Sequence, residues 1–166
     1  MHPTEQRIQE ELDAAGVVHE WRECDPALAD TAAFCDHYGI SLDDSANAIV
    51  VVGKGDPRQH VVCVALATTR LDVNGVVRKR LGTRKASFAA ADETRELTGM
   101  EIGGVTPVGL PTGLPVWIDA AVLDRERVVI GGGVRSSKLF LDPRELTKLG
   151  HVEVVADLAR PVEPAP

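Results

Sequence analysis

The apolar positions of the chain follow two kinds of pattern. Near the N-terminus Ile8, Leu12 and Ala15 recur at helical spacing. Thr4 can cap that helix and Gly16 can end it. Val17 to Glu23 alternates, with Val17, His19 and Trp21 on one face, and reads as a half-buried strand. Asp30 or Thr31 caps a second helix through Tyr38, stopped by Gly39, with Ala32, Ala33 and Phe34 inside. The centre of the chain is different. Ala46 to Val52 and His60 to Ala67 are nearly unbroken apolar runs rich in valine, the pattern of strands covered on both faces. Gly53-Lys54-Gly55-Asp56-Pro57 turns between them.

Beyond this pair, Asp72 or Asn74 opens a helix ending near Leu81, Lys85 to Phe88 is a short strand, and Asp92 to Thr98 is a helix stopped by Gly99. Val116 to Val122, Arg127 to Gly131 and Ser137 to Leu141 read as strands. Asp142-Pro143 starts a helix running to Gly150, and His151 to Val155 is the last strand expected. Short helices among many strands, without a regular βαβ alternation, give a mixed α/β protein. This pattern leaves an open sheet and a closed barrel both available.

Composition narrows the picture. At 166 residues and 44% hydrophobic, one domain over residues 1–160 is expected, with a flexible tail at 161–166. Aromatic residues are 4%, so the core is aliphatic. No apolar run is long enough for a membrane span, and the polar N-terminus does not read as a signal peptide. Three cysteines, Cys24, Cys35 and Cys63, lack C-x-x-C spacing; this points to free thiols in a reducing compartment, hence the cytoplasm, and to no structural zinc. His151-Val152-Glu153 lacks the P-C-x-x-C of zinc deaminases, so neither metal nor cofactor is expected. A net charge of −7 argues against an extended grip on nucleic acid. The densest basic cluster, Arg78-Lys79-Arg80 with Arg84-Lys85, reads as a solvated helix face or as a landing site for an acceptor stem.

Two glycine-rich stretches carry the candidate chemistry. In Ile102-Gly103-Gly104-Val105-Thr106-Pro107-Val108-Gly109-Leu110, paired glycines can present bare N–H groups to an oxygen, and Pro107 stiffens the exit. A plain turn between helix and strand is the other reading. Gly131-Gly132-Gly133-Val134-Arg135-Ser136-Ser137-Lys138 is not a P-loop, because Ser137 precedes the lysine and Leu139 follows it. Pocket lining and a structural turn both remain open for it.

With Glu96 to Met100 leading in, Leu114 to Asp119 leading out, Arg70-Leu71-Asp72 upstream and the glycine triplet with Arg135 downstream, the order resembles the YbaK/prolyl-tRNA synthetase-associated editing-domain family, from about Asp30 to about Leu158. The resemblance implies a mixed, largely antiparallel, barrel-like sheet surrounded by short helices. It implies hydrolysis in trans of mischarged tRNA, typically tRNA for proline carrying alanine or cysteine. The implied partners are the acceptor end of aminoacyl-tRNA and an aminoacyl-tRNA synthetase.

Carried onto this chain, the resemblance places Gly103, Gly104, Thr106 and Pro107 in the catalytic loop, with Val105 beside the substrate. Gly131, Gly132 and Gly133 line the same pocket. Asp119 matches a family aspartate, and Arg70 reads as a rim ion pair or a phosphate contact. Where family members usually carry a lysine this chain has Asn47, which can orient an ester or a 2′-hydroxyl but brings no charge. Lys54 lies more than about 20 Å along the same strand, so Lys138 is the better substitute cation, although a solvated surface lysine is its plainer reading. Loss of one charge-assisted contact costs about 2–4 kcal/mol of transition-state stabilisation. A weakened member that only binds aminoacyl-tRNA, an amino acid or a partner protein is the alternative.

Overall fold

The computed structural model describes residues 1–162. Helix α1 spans Pro3–Ala15 and starts one residue before the expected cap. Pro3 takes the first helical position, where a missing N–H costs nothing. The ring of His2 accepts from the Thr4 N–H, while the Glu5 carboxylate accepts from the His2 N–H. Gly16 adopts the left-handed conformation (φ 68°), and the Val17 N–H returns to the Leu12 carbonyl. That closure delays the next strand. β1 covers only Glu20–Glu23, and Val18 is 71% exposed, so the expected strand from Val17 is shortened.

Helix α2 (Thr31–Tyr38) is followed by the long pair β2 (Ala46–Lys54) and β3 (Gln59–Leu66). β4 (Thr69–Leu71) leads through a wide turn at Val73–Val77, capped by the Asp72 carboxylate, into α3 (Arg78–Leu81). Then come β5 (Lys85–Phe88), α4 (Ala91–Thr98), β6 (Val116–Asp119), β7 (Val128–Gly131), β8 (Ser137–Leu141), β9 (Val152–Val155) and β10 (Ala159–Pro161).

Five strands form the main sheet in the order β5-β2-β3-β6-β9, antiparallel at β5/β2 and β2/β3 and parallel at β3/β6 and β6/β9. A second sheet, β1-β8-β7, is antiparallel throughout, as is the pair β10-β4. A parallel bridge between Ser45 and Val129 joins the first two sheets. They wrap one aliphatic core, in which Val62, Val64 and Ile118 of the main sheet meet Ile130 and Leu139 of the second, under Ile8 and Leu12 of α1. This is the mixed, largely antiparallel arrangement expected.

β3 explains why the central runs are unbroken. Val62, Val64 and Leu66 face that core, and Val61, Cys63 and Ala65 face a second one with Val77, Trp117 and Leu158. Both faces are covered from Val61 onward, so every position from Val61 to Leu66 is apolar. Burial also pushes the Cys63 thiol up to about 12, which keeps it protonated. Cys24, Cys35 and Cys63 are all free and buried.

Several expected elements change. Val116 to Val122 is a strand only to Asp119; Ala120–Asp124 winds as a 3₁₀ turn that still buries Val122. Pro143–Lys148 is likewise 3₁₀, shorter than the helix expected to Gly150. β9 is not the last strand, because β10 returns to pair with β4. Thr69 and Arg70 lie on the short strand β4, beyond the expected run. β10 includes Pro161, which had been assigned to the tail; residues 163–166 of that tail lie outside the described residues. Among the described residues no helix is long and apolar enough to cross a membrane.

Ile118 is fully buried where the two sheets meet. Ile118→Ala is expected to cost about 2–5 kcal/mol in urea denaturation. Val154→Ala, at a position 40% exposed, is expected to stay within about 0.5 kcal/mol.

Candidate functional site

The site lies where β2 and β7 part company. On one side β2 is paired with β3 along its whole length. On the other it has β5 only at Val51 to Lys54, and the bridge to β7 only at Ser45. Between those contacts a cavity of about 380 Å³ opens against Ala46 to Val50. Its opposite walls come from the Ile102-to-Val105 loop, from Ile130 and Gly131 of β7, and from the start of α4; Asp30, Thr31 and Phe34 close one end.

Three successive carbonyls of the loop are anchored. The Arg135 guanidinium donates to the Ile102 carbonyl (2.8 Å), the Lys138 ammonium to the Gly103 carbonyl (3.0 Å), and the Gly133 N–H to the Gly104 carbonyl (2.6 Å). In a trans peptide the N–H points opposite to its C=O. The Gly104 N–H turns back to the Glu101 carbonyl. The N–H groups of Gly103 and Val105 have no partner among the described residues, and both residues line the cavity.

The two glycine stretches need each other. A Cβ on Gly131 would stand 2.5 Å from the carbonyl oxygens of both Gly104 and Val105, and one on Gly104 would stand 2.6 Å from the Val134 oxygen. Only bare backbone permits this approach. Gly103 has φ +90°, and a side chain there would also strike Arg135. The triplet is thus both of the things the sequence left open: Gly131 lines the cavity, while Gly132 is crowded by Ser137 and Gly133 by Ile8 and Thr4.

Of the sequence-derived candidates, Asn47, Gly103, Val105, Gly131 and Lys138 share the cavity wall. Gly104, Gly132 and Gly133 support it from behind. Thr106 is fully buried, and its hydroxyl lacks a partner among the described residues. Pro107 is buried and its carbonyl meets the His151 ring (2.9 Å). Asp119 is 2% exposed and accepts from the Leu158 N–H, with burial pushing its carboxyl upward. Arg70 lies exposed on β4, opposite Arg160. None of Thr106, Pro107, Asp119 and Arg70 lines the cavity. The basic cluster does not either: Arg80 covers the Trp117 ring and pairs with Glu153 on the far side of the sheet.

Lys138 is not the solvated lysine of the plainer reading. It is 7% exposed, and its ammonium donates to the Ala29 carbonyl (2.7 Å) and the Gly103 carbonyl, 5.2 Å from the Phe34 ring centre. Burial lowers its pKa from the ordinary lysine value. The Asn47 side-chain oxygen accepts from the Thr31 hydroxyl (2.6 Å), which leaves its amide donors for a ligand.

Two contributors were not identified from sequence. Asp30 and Thr31 looked only like helix caps. In the structure Asp30 pairs with Arg135, whose guanidinium holds its carboxyl below the ordinary range. α4 was read as an ordinary helix, yet Ala91 and Thr94 close the cavity. Glu93 holds α4 against the main sheet through Arg58 (2.8 Å) and His60 (2.7 Å), which bring its carboxyl down to about 2.

Comparison with known proteins identifies the frame. Residues 25–149 match the model of the aminoacyl-tRNA editing domain, and the chain belongs to that family. Uncharacterized protein YwhH of Bacillus subtilis (strain 168) is 33% identical over 122 residues, covering 74% of this chain and 75% of YwhH. The crystal structure of a proposed trans-editing enzyme for prolyl tRNA synthetase matches with TM-score 0.78 at 27% identity, over 94% of this chain and 97% of that one. That of hypothetical protein APE2540 matches with TM-score 0.82 at 27% identity, over 93% and 99%.

Gly131→Ala is expected to destabilise the fold by about 1–3 kcal/mol in thermal denaturation, because both oxygens it would strike are backbone. Glu93 has a depressed folded pKa, so its contribution is complete above pH 4.5 and is lost as pH falls toward about 2. The stability difference between wild type and Glu93→Gln, measured by urea titration, is expected to shrink across that interval.

Proposed function

We propose that this member of the aminoacyl-tRNA editing family is a deacylase that hydrolyses the ester of mischarged tRNA in trans, with tRNA for proline carrying alanine or cysteine as the leading substrates. What carries the reading is one juxtaposition: Asn47, the Gly103-to-Val105 main chain, Gly131 and Lys138 on the wall of a single cavity of about 380 Å³. That volume suits an aminoacyl group with its ribose. The similarity to a proposed trans-editing enzyme for prolyl tRNA synthetase adds to it.

The chemistry follows from the donors. Ester hydrolysis develops negative charge on the carbonyl oxygen, and fixed N–H groups stabilise it without reorganising. The unpartnered N–H groups of Gly103 and Val105 supply such donors. Arg135, Lys138 and Gly133 hold the corresponding carbonyls back. Lys138 also places a cation behind the loop, and Asn47 donates to the ester or the 2′-hydroxyl. Water is the nucleophile, and no side-chain nucleophile is assigned.

The binding-module reading keeps one argument in its favour: Asn47 on the cavity wall is uncharged, where the family resemblance implies a lysine. It predicts occupation of the cavity without turnover.

Incubation with alanyl- and cysteinyl-tRNA for proline is expected to release amino acid well above the spontaneous rate. Lys138→Met is expected to lower kcat/KM about 100-fold, because the Gly103 carbonyl loses its anchor and the loop donors lose their placement. Binding of a non-hydrolysable aminoacyl-adenosine, together with no release of amino acid from either aminoacyl-tRNA, would establish the binding module instead.

A further inference from the structure

The edge of β2 inside the cavity is bare, and its register shows which groups it offers. In an antiparallel pair, alternate residues turn both main-chain polar groups toward the partner strand, and those between turn them away. The Ala67 N–H donates to the Ser45 carbonyl, so Ser45 points toward β3. Counting by twos along the β2/β3 register, Asn47, Ile49 and Val51 also point toward β3. Ala46, Ala48, Val50 and Val52 therefore point away. The Ala89 N–H reaches the outward Val50 carbonyl, which confirms the count.

Past that contact β5 is gone, and the bridge to β7 does not begin until Ser45. Neither the N–H nor the carbonyl of Ala48 has a partner among the described residues. Bare edges normally attract another strand. This one is shielded by the walls of the cavity, and Ala46 and Ala48 present only methyl groups beside it.

We infer that Ala48 pairs with the aminoacyl group of the substrate as though that group were one residue of an added strand. The Ala48 carbonyl accepts from the α-amino group, and the Ala48 N–H donates to the ester carbonyl. This deepens the deacylase reading and rests on it. A single residue carries both groups on one carbon, at the spacing at which Ala48 presents their counterparts. Such pairing reads the main chain of the amino acid and ignores its side chain. It also sets a further donor on the ester oxygen, from β2 rather than from the Gly103 loop. The step itself is ordinary hydrolysis: water adds to the ester carbon, the bond to the ribose oxygen breaks, and that oxygen leaves with a proton.

Two measurements test this on the full chain. The first compares hydrolysis of alanyl-tRNA with propionyl-tRNA, which lacks the α-amino group. Wild type is expected to prefer the alanyl ester at least 30-fold in kcat/KM beyond the ratio of the two esters' spontaneous hydrolysis rates. Ala48→Pro removes the outward N–H while leaving the β2/β3 bonds of Asn47 and Ile49 available. It is expected to lower alanyl-tRNA hydrolysis about 100-fold and to lower kcat more than it raises KM. Equal acceleration of the two esters by wild type would overturn the pairing and leave the deacylase reading standing, as would full activity in a folded Ala48→Pro.

The second measurement holds even if Ala48→Pro does not fold. The wild-type Ala48 amide is followed by NMR hydrogen exchange with the non-hydrolysable amide 3′-(L-alanylamino)-3′-deoxyadenosine. At saturation its exchange is expected to slow at least tenfold. Binding seen at Gly103 or Val105 with no change at Ala48 overturns the pairing alone. No binding together with no hydrolysis overturns the deacylase reading and the pairing with it. Protection of Ala48 by an acetylated tetrapeptide but not by the analogue overturns it in favour of a peptide ligand.

Discussion

Everything at the site depends on how closely two stretches of bare backbone approach one another. Gly131 lies against the carbonyls of Gly104 and Val105, and Gly104 lies against Val134, at separations that leave no room for a Cβ. This contact brings the end of β7 up to the loop. It lets the Gly133 N–H reach the Gly104 carbonyl and places Arg135 and Lys138 at the next two carbonyls in line. Moving the strands apart by the width of a methyl group would release all three anchors together. The triplet and the paired glycines are two halves of one joint.

That joint has an electrostatic consequence. A loop of successive peptides would ordinarily place carbonyls and N–H groups toward a ligand in similar numbers. Here two buried or half-buried cations and one amide take up the carbonyls, so the N–H groups of Gly103 and Val105, two residues of the cavity wall, are left without a partner among the described residues. Lys138 tolerates burial because two carbonyls and an aromatic face receive its ammonium. Asn47 on β2 brings no charge, but a cation does stand against the cavity, Lys138 of β8.

The cavity exists because the sheet is incomplete. β5 stops pairing with β2 at Val51, and the bridge to β7 lies at Ser45, just before β2 begins. A closed ladder would have filled the space with hydrogen bonds. α4 and the Asp30-Thr31 corner roof the gap instead. Each is held by ion pairs, Glu93 with Arg58 and His60, and Asp30 with Arg135. The site is a gap between two open sheets, kept open by contacts made mostly outside it.

Periodicity and local chemistry alone determined much of this protein. The unbroken valine runs of β2 and β3 and the helix stops at Gly16, Gly39, Gly82 and Gly99 could all be read from neighbours along the chain. Tertiary structure alone decided that Lys138 is buried rather than solvated and that Thr106 and Pro107 turn inward. It also decided that Asp119 caps a distant N–H, and that β4 and β10 find each other across nearly ninety residues. The reason is physical. A residue's hydrophobic spacing records which face it presents, but the identity of what lies opposite is set by pairing between remote strands. An unpaired edge is a property of where partners end, and that leaves no mark on the residues that carry it.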